Sequence, residues 1–326
     1  MTIDIKILEW SEVDLDELAA LTFASYKASP VWVDGQTLEL FRNYLTRGKE
    51  RWPESLVVAG YQEKNLVGWL AIILEDPLLF ELWRWHPVIL PVSEPALIAK
   101  QLLTRCVEIS KEKGAQSLEV TCNFEKHQLT PEVENHYLRH LAWYEDIGLR
   151  KSDESVFLTC ETSKIQLSDN PMGSGPFKIS PYQPRYKERM YECFVQAFSS
   201  GQDRTFQEKT SEQRQTWFER YLTENHNPQA SMVMLDGDNV QGFSLVQTRQ
   251  AVDDEHLALI AVSPECQRQG WGRILLSASI QAGARQGAEL FSIGVDLANE
   301  KAYKLYRSMG FEIQSKLINH VWKNEL

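Results

Sequence analysis

The chain has 326 residues, of which 43% are hydrophobic and 24% charged, and its formal net charge is −11 at pH 7. This length suits two domains of about 150 residues each. The negative charge argues against general binding of nucleic acids or anionic membranes, because both need a basic surface. The longest apolar stretch, residues 66–82, is interrupted by Glu75, Asp76 and Pro77, so we expect no membrane span, which needs about 20 apolar residues.

The N-terminal residues lack the basic start and apolar stretch of a signal peptide. No two of the five cysteines have the spacing of a metal site, and their odd number fits free thiols better than a disulfide framework. We therefore predict a cytoplasmic protein whose cysteines are small buried residues. These cysteines are Cys106, Cys122, Cys160, Cys193 and Cys266.

One pattern occurs twice along the chain. Four segments of the first half return in the same order in the second half, roughly 160 to 177 residues later. Such self-similarity indicates two copies of one fold. The matched pairs are 5–7 with 177–179, 41–46 with 218–223, 58–71 with 232–246, and 144–149 with 306–311.

Each copy predicts the same elements in chain order: a strand, one or two helices, a hairpin, a strand, a helix, a strand, a helix and a last strand. We place the hairpin turns at Lys64–Asn65 and at residues 236–239. Alternating strands and helices after a hairpin indicate an α/β fold with a mixed, largely antiparallel sheet flanked by helices. A stretch rich in Pro, Gly and Ser separates the copies, which predicts domains at 1–165 and 176–326 with a linker at 166–175.

The second copy contains a turn suited to binding an anion. A strand over residues 257–262 is followed by Gln267-Arg268-Gln269-Gly270-Trp271-Gly272, and Arg273 opens a helix. Backbone N–H groups at a helix N-terminus, with the positive end of the dipole, suit a phosphate or pyrophosphate. Two glycines allow close approach of the backbone. An ordinary tight turn between strand and helix is the alternative interpretation.

Together with a later pattern, this turn resembles the GNAT superfamily of N-acetyltransferases over residues 176–326. The superfamily signature Gln/Arg-x-x-Gly-x-Gly/Ala stands here as Gln267, Gly270 and Gly272. The later pattern stands at Asn299, Ala302, Leu305-Tyr306 and Gly310-Phe311.

The resemblance implies transfer of an acyl group, usually acetyl from acetyl-CoA, to a primary amine. It implies that Asn299 contacts the cofactor, and that Tyr306 donates a proton to the departing thiolate; packing in the core is the alternative for Tyr306. The implied pyrophosphate site is Gln267, Arg268, Gln269, Gly270, Trp271, Gly272 and Arg273. The implied partners of the pantetheine arm are the backbone groups of Ile260, Ala261 and Val262.

The sequence does not identify the general base that removes the proton of the amine. The positions at which related enzymes carry a basic Glu hold Gly294 and, approximately, His256 here. His256, Glu255 and a water relay are the candidates, and we expect the neighbouring carboxylates to raise the pKa of His256. The uncertain base leaves a second class of function open, a non-catalytic acyl-CoA-binding or regulatory protein.

The corresponding stretch of the first copy, residues 83–95, has no glycine, three prolines and the anionic Glu94. We therefore expect a degenerate copy with a structural role, with a second acyl-CoA bound in another manner as the alternative. The tryptophans of this half, among them Trp83 and Trp85, indicate core packing or an aromatic acceptor pocket. His136 and His140 have helical i, i+4 spacing without a third ligand, so we predict no metal site.

Overall fold

The computed structural model describes residues 3–74, 79–82, 87–91, 94–125, 130–165, 175–199, 206–207, 209–249 and 254–324. The chain forms two compact units. Unit 1 comprises Met1–Glu154 with Lys316–Leu326, and unit 2 comprises Ser155–Ser315. The predicted linker, Trp83, Trp85 and His127 lie mostly or wholly outside the described residues.

The first copy follows the predicted order of elements, and three of its helices begin at residues whose side chains cap them. Asp14, Thr37 and Thr130 each accept backbone N–H bonds in the first turn of α1, α2 and α4, which satisfies otherwise unpaired donors. The elements are β1 Asp4–Glu9, α1 Leu15–Lys27, α2 Leu38–Arg51, β2 Leu56–Gln62, β3 Asn65–Ile73, β4 Leu79–Leu82, β5 Val88–Ile89, α3 Pro95–Glu112, β6 Ser117–Glu125, α4 Pro131–Asp146 and β7 Arg150–Glu161.

The second copy repeats this order, and its last strand lies mostly in unit 1. Thr210 and Gln213 form a capping box at the start of its second long helix, a reciprocal pair of bonds that fixes the helix start. The elements are β8 Lys178–Pro181, α5 Lys187–Ser199, α6 Ser211–Thr223, β9 Met232–Asp236, β10 Asn239–Arg249, β11 Asp254–Val262, α7 Trp271–Arg285, β12 Leu290–Asp296, α8 Glu300–Ser308 and β13 Glu312–Lys323.

Both hairpins are present. In unit 2 the turn lies between Asp236 and Asn239, as predicted. In unit 1 the turn residues are Glu63 and Lys64, both with positive φ, one position earlier than the predicted Lys64–Asn65. Two consecutive positive φ values match the right-handed twist of a tight hairpin.

Each unit contains a mixed sheet flanked by helices, which confirms the predicted fold class. The strand order is β1-β2-β3-β4-β6-β13 in unit 1, and β7-β12-β11-β10-β9-β8 in unit 2. Neighbours are antiparallel in most pairs, but β4–β6 and β11–β12 are parallel. In unit 2 hydrophobic cores cover both faces of the sheet: one contains residues of α7 and α8, the other residues of α5 and α6.

The division into units differs from the predicted boundaries at the last strand of each copy. Ser155–Glu161 of β7 pairs antiparallel with β12 of unit 2. Asn324, just after β13, donates its N–H to the Gln116 carbonyl of unit 1 at 2.8 Å. Each sheet is therefore completed by the final strand of the other copy, an exchange that local sequence patterns do not encode. Within the described ranges, every helix is too short or too polar to span a bilayer.

Candidate active site

Strands β11 and β12 run side by side and then part. They pair in parallel from Asp254 with Leu290 to Leu257 with Ile293. Beyond that point β11 continues along β10 to Val262, and β12 continues along β7 to Asp296. The backbone of Ala258–Val262 therefore faces an opening, which we call the wedge. Its mouth lies at the carboxyl ends of the two strands.

A β-bulge lies where the wedge begins. Leu245 pairs with Leu259 and Val246 with Leu257, so Ala258 is an extra residue on β11. A bulge bends its strand and exchanges the faces to which the following side chains point. Leu257 accordingly packs in the core on the α7 side, whereas Leu259 packs in the core against α5 and α6. The bulge gives a physical reason for the parting of the strands.

At the mouth of the wedge, an exposed turn leads into α7. Gly270 caps the helix with φ +87°, and a Cβ built there would meet nothing within 4 Å. The first bond of the helix runs from Ile274 N–H to the Gly270 carbonyl at 3.2 Å. The N–H groups of Trp271 and Gly272 therefore have no partner within the helix, and they lie at the positive end of its dipole.

Two glutamines of this turn brace its backbone. Gln267 Nε2 donates to the Val262 carbonyl at 3.1 Å, and Gln269 Nε2 donates to the Glu265 carbonyl at 2.9 Å. Trp271 is half-buried with its ring edge-to-face on Phe177 at 4.9 Å between centroids. These side chains stabilise the shape of the turn, so the donors that it offers to an anion come mainly from the backbone.

The turn contacts the helix that carries Tyr306. A Cβ on Gly272 would lie 3.5 Å from Leu305 Cδ2, and the Arg273 guanidinium donates to Ser308 Oγ. Arg268 is exposed and has φ +63°. The structure thus brings the glycine turn and α8 together, while the cationic side chain of Arg268 stays at the surface.

Asn299 is the N-cap of α8. Its Oδ1 accepts the Ala302 N–H at 3.2 Å, a bond that stabilises the start of this nine-residue helix. The structure therefore gives Asn299 a structural role. The capping bond leaves the side-chain amide NH₂ as the group that could reach a ligand.

Tyr306 lies in the core between α8 and the sheet, 4% exposed, with its ring 6.2 Å from that of Phe311. Its hydroxyl makes no hydrogen bond with any residue that the structure describes. Burial raises the pKa of Tyr306, so the phenol keeps its proton at neutral pH. The hydroxyl oxygen is not one of the fully buried unpaired atoms, so this O–H is available as a donor.

His256 stands on β11 opposite Ser292, one residue before the strands part. Its ring stacks on Phe157 of β7 at 5.7 Å between centroids, and Nδ1 lies 3.1 Å from Ser292 Oγ. Burial, with a smaller effect of Arg249, lowers the pKa of His256 to about 4. The expectation that neighbouring carboxylates raise this pKa is therefore wrong, because Asp254 and Glu255 do not act on the ring strongly enough to offset burial.

The side chain of Glu255 points to the opposite face of β11 from that of His256. It lies 5% exposed beneath α7, with Oε1 accepting from Asn227 Nδ2 at 2.7 Å and from Thr248 Oγ1 at 3.1 Å. Oε2 is buried without a partner among the described residues. Burial raises the pKa of Glu255. Adjacent strand residues face opposite sides, so the two candidate bases cannot serve one site together.

Unit 1 also contains a strand that parts from its neighbour, but the N-terminus of its α3 differs from that of α7 in unit 2. Its β4 pairs with β6 over only three residues, and β5 then pairs with β3. Helix α3 begins at Pro95, and its N-cap Glu94 makes no side-chain capping bond. A proline without N–H and a carboxylate stand where unit 2 has glycines and free amides.

Comparison with known proteins gives the class of fold first. The chain is similar in structure to a GCN5-related N-acetyltransferase from Sphaerobacter thermophilus, with TM-score 0.66 and 15% identity over 98% of this chain and 95% of that one. A tandem GNAT protein from the clavulanic acid biosynthesis pathway matches with TM-score 0.59 and 11% identity over 99% and 98%. The chain therefore has the fold of a tandem GNAT protein.

Sequence comparison gives a match to part of the chain. Residues 187–311 match the acetyltransferase (GNAT) family. [Ribosomal protein bS18]-alanine N-acetyltransferase of Escherichia coli (strain K12) is 30% identical over 96 residues, which are 29% of this chain and 64% of the relative. The chain thus covers less than two thirds of the length of this curated relative. The match to the acetyltransferase (GNAT) family thus lies within unit 2.

Three features of the site lay beyond sequence analysis. The bulge at Ala258 has no glycine or proline to indicate it. Phe157, which stacks on His256, belongs to the first copy in sequence and enters unit 2 through the exchanged strand. Ser292 is the one feature that the sequence could have indicated, because a polar residue inside an apolar strand needs a hydrogen-bond partner.

Proposed function

We propose that unit 2 transfers an acetyl group from acetyl-CoA to a primary amine of a small molecule or peptide. The observation that supports this most strongly is the wedge between β11 and β12 with the glycine turn at its mouth. An elongated donor with a diphosphate at one end suits such a site, because the anion meets backbone amides while the remaining arm runs along an open strand edge. Five free cysteines suit a cytoplasmic enzyme.

The residues present fit the diphosphate of acetyl-CoA. Gly270 has a backbone that only glycine adopts readily and open space around its Cα, and the amides of Trp271 and Gly272 point away from the helix. The dipole contributes only about 0.3–2 kcal/mol, so several amides act together with Arg268. Ile260, Ala261 and Val262 supply strand edge for the pantetheine arm. When bound, the donor supplies an acetyl thioester.

Tyr306 is the proposed proton donor to the thiol that leaves. Its raised pKa keeps the O–H intact, and this hydroxyl has no partner among the described residues that would have to be displaced. A positioned donor contributes about 10²–10⁴-fold to such a step. Tyr306→Phe should therefore lower kcat by at least tenfold with nearly unchanged affinity for CoA. Equal kcat in the variant would remove Tyr306 from the mechanism.

His256 is the proposed acceptor of the amine proton, directly or through water. Ser292 Oγ also lies 3.3 Å from the Glu255 carbonyl. Because a carbonyl oxygen can only accept, the Ser292 hydroxyl donates its proton to this carbonyl. The Nδ1–H of His256 then donates to Ser292 and leaves a lone pair on Nε2. With a pKa of about 4 the imidazole is neutral at pH 7, and the exposed Gly294 on the adjacent strand leaves open space beside it.

Such a weak base favours an acceptor that loses its proton readily. Deprotonating an alkylamine of pKa near 10.4 costs about 4.6 kcal/mol at pH 7, whereas a peptide α-amine of pKa near 7.8 costs only about 1 kcal/mol. The bacterial relative is named for an alanine acceptor. A peptide that begins with alanine is accordingly the first acceptor to test.

The experiment follows release of free thiol from acetyl-CoA with an alanine-initiated peptide and a panel of small amines. Turnover with one of them supports the enzyme. Binding of CoA without turnover over any amine favours the second class, a non-catalytic acyl-CoA-binding or regulatory protein. His256→Gln and Glu255→Gln separate the bases: we expect the first to lower kcat and the second to leave kcat within about threefold. The reverse result would assign the base to Glu255.

We further propose that unit 1 does not bind acyl-CoA in the manner of unit 2. The start of α3 supports this, because Pro95 has no N–H and Glu94 would repel a diphosphate. A double variant that exchanges the two residues for glycine tests whether these groups alone prevent binding.

A further inference from the structure

A cavity of about 160 Å³ lies inside unit 1. Its walls come from the end of α1 and the loop that follows, from β5, and from the first half of α4. Val33, which lines the cavity, is 45% exposed. The cavity therefore reaches the surface at this residue, which gives a small molecule a way in.

The cavity lies beside elements that correspond to the candidate site of unit 2. In unit 1, Gly68 pairs with Ile89 and Trp69 with Val88. In unit 2, Gly242 and Phe243 pair with the end of β11 in the same way. Helix α4 takes the place that α8 takes in unit 2. Unit 1 thus keeps a concave space beside its parted strand although it lacks the glycine turn.

Aromatic rings and hydroxyl groups form much of the wall. Tyr26, Tyr137, His136 and His140 line the cavity together with Ser25. The rings of His136 and His140 lie 4.4 Å apart between centroids and are tilted by 53°, and His136 lies edge-to-face with Tyr137 at 5.8 Å. His140 Nδ1 donates to the His136 carbonyl at 2.8 Å, which fixes its ring. Such walls offer both faces for stacking and groups for hydrogen bonds.

The described lining residues include no acidic or basic side chain of permanent charge. Burial lowers the pKa of His136 to about 4 and raises that of Tyr26, so both are neutral at pH 7. Among the lining residues that the structure describes, no Asp, Glu, Lys or Arg occurs. An ion entering the cavity would lose hydration without gaining an opposite charge, which is costly.

We propose that unit 1 binds an uncharged molecule with a single aromatic ring and a hydrogen-bonding group in this cavity. The volume agrees, since an engineered apolar cavity of about 150 Å³ holds benzene. The polar groups of the wall add a preference for a ring with a hydroxyl or amide. The site is separate from the proposed acetyl transfer and does not depend on it.

Phenol, benzylammonium and benzoate are matched probes of this proposal, because they share a ring and differ in charge. Saturation-transfer NMR and titration on the full chain should show phenol binding at least about tenfold tighter than either ion, since each ion must be desolvated. No saturation of phenol would show a cavity that holds only water, and equal affinity for all three would show a site that does not discriminate against charge; either result would overturn the proposal.

Two variants locate the binding. Ser25→Leu fills part of the cavity and should weaken phenol binding about tenfold or more, whereas Ala20→Leu, on the exposed side of the same helix, should not change it. Val33→Asp places a carboxylate at the exposed end without altering the core, and should improve benzylammonium about fivefold relative to phenol. Phenol affinity unchanged by Ser25→Leu, together with benzylammonium affinity unchanged by Val33→Asp, would contradict the assignment. Gly270→Asp in unit 2 should leave phenol binding unchanged.

Discussion

The glycine turn allows a quantitative test because its two glycines occupy different environments. Gly270 has φ +87° with no atom within 4 Å of a built Cβ. Gly270→Ala therefore causes no collision, and its cost is the left-handed backbone itself, about 1–2 kcal/mol for a residue with a Cβ. Gly272 lies in the first turn of α7, where a Cβ would make an ordinary 3.5 Å contact with Leu305. Gly272→Ala should gain up to about 1 kcal/mol from helix propensity.

The two variants should therefore differ by about 2 kcal/mol in the free energy of unfolding, a factor of about 30 in the unfolding equilibrium. Urea denaturation of each variant measures this difference. Isothermal titration with CoA measures the second effect: Gly270→Ala, which shifts the turn, should weaken binding, and Gly272→Ala should retain it. Equal stability of both variants would mean that the turn relaxes without strain. Equal CoA affinity would mean that the turn does not hold the diphosphate.

Three further predictions concern single side chains. Asn299→Ala should cost about 1 kcal/mol of stability through the lost N-cap, with Asn299→Asp close to wild type; equal denaturation midpoints for all three proteins would disprove the capping role. NMR titration of the His256 ring should give a pKa near 4. Because the unfolded chain protonates this histidine already near pH 6.5, the free energy of unfolding should fall by about 3 kcal/mol as the pH is lowered from about 6.5 to about 4. His256→Gln should abolish this pH-dependent loss of stability. Glu255 has the opposite pH dependence: because its pKa is raised in the folded protein, it stabilises the fold below about pH 4, and this contribution is lost as the pH rises. The free energy of unfolding of Glu255→Gln, relative to that of wild type, should therefore be higher at pH 7 than at pH 4. A difference that does not change with pH would contradict the burial of Glu255.

Most of the fold could be predicted from the sequence repeat. Two copies of one order of elements were readable because hairpin turns, helix periodicity and the glycine after each last helix are local signals. The glycine turn and Asn299 could also be placed on their elements from sequence, since strand, turn and helix follow each other without interruption.

The exchange of last strands could not be predicted. Ser155–Glu161 follows its own copy without a gap in pattern, and its partner β12 lies about 135 residues later in the chain. Strand pairing over such a separation depends on competition between two similar edges, which local propensity does not describe. The ring of Phe157 therefore reaches His256 by a route that no motif indicates.

The pKa shift of His256 was predicted in the wrong direction for a similar reason. Proximity in sequence suggested that Asp254 and Glu255 would stabilise the protonated ring. In a strand, however, Glu255 faces the opposite side from His256, and the group that stacks on the ring is Phe157 from another strand. Asp254 lies two residues away, and the charge of Arg249 acts on both Asp254 and His256. Burial thereby outweighs the nearby carboxylates.

The same alternation limits the chemistry of the proposed site. Only one of two adjacent residues can face the wedge, and the structure puts the neutral imidazole on the side where Gly294 leaves space, while Glu255 is fixed under α7 by Asn227. A site with an imidazole of pKa about 4 cannot pull a proton from a strongly basic amine over a gap of more than six pKa units, about 9 kcal/mol. It can serve an amine that is already partly neutral in solution. The neutral state of His256 therefore supports our proposal of a peptide α-amine as the acceptor.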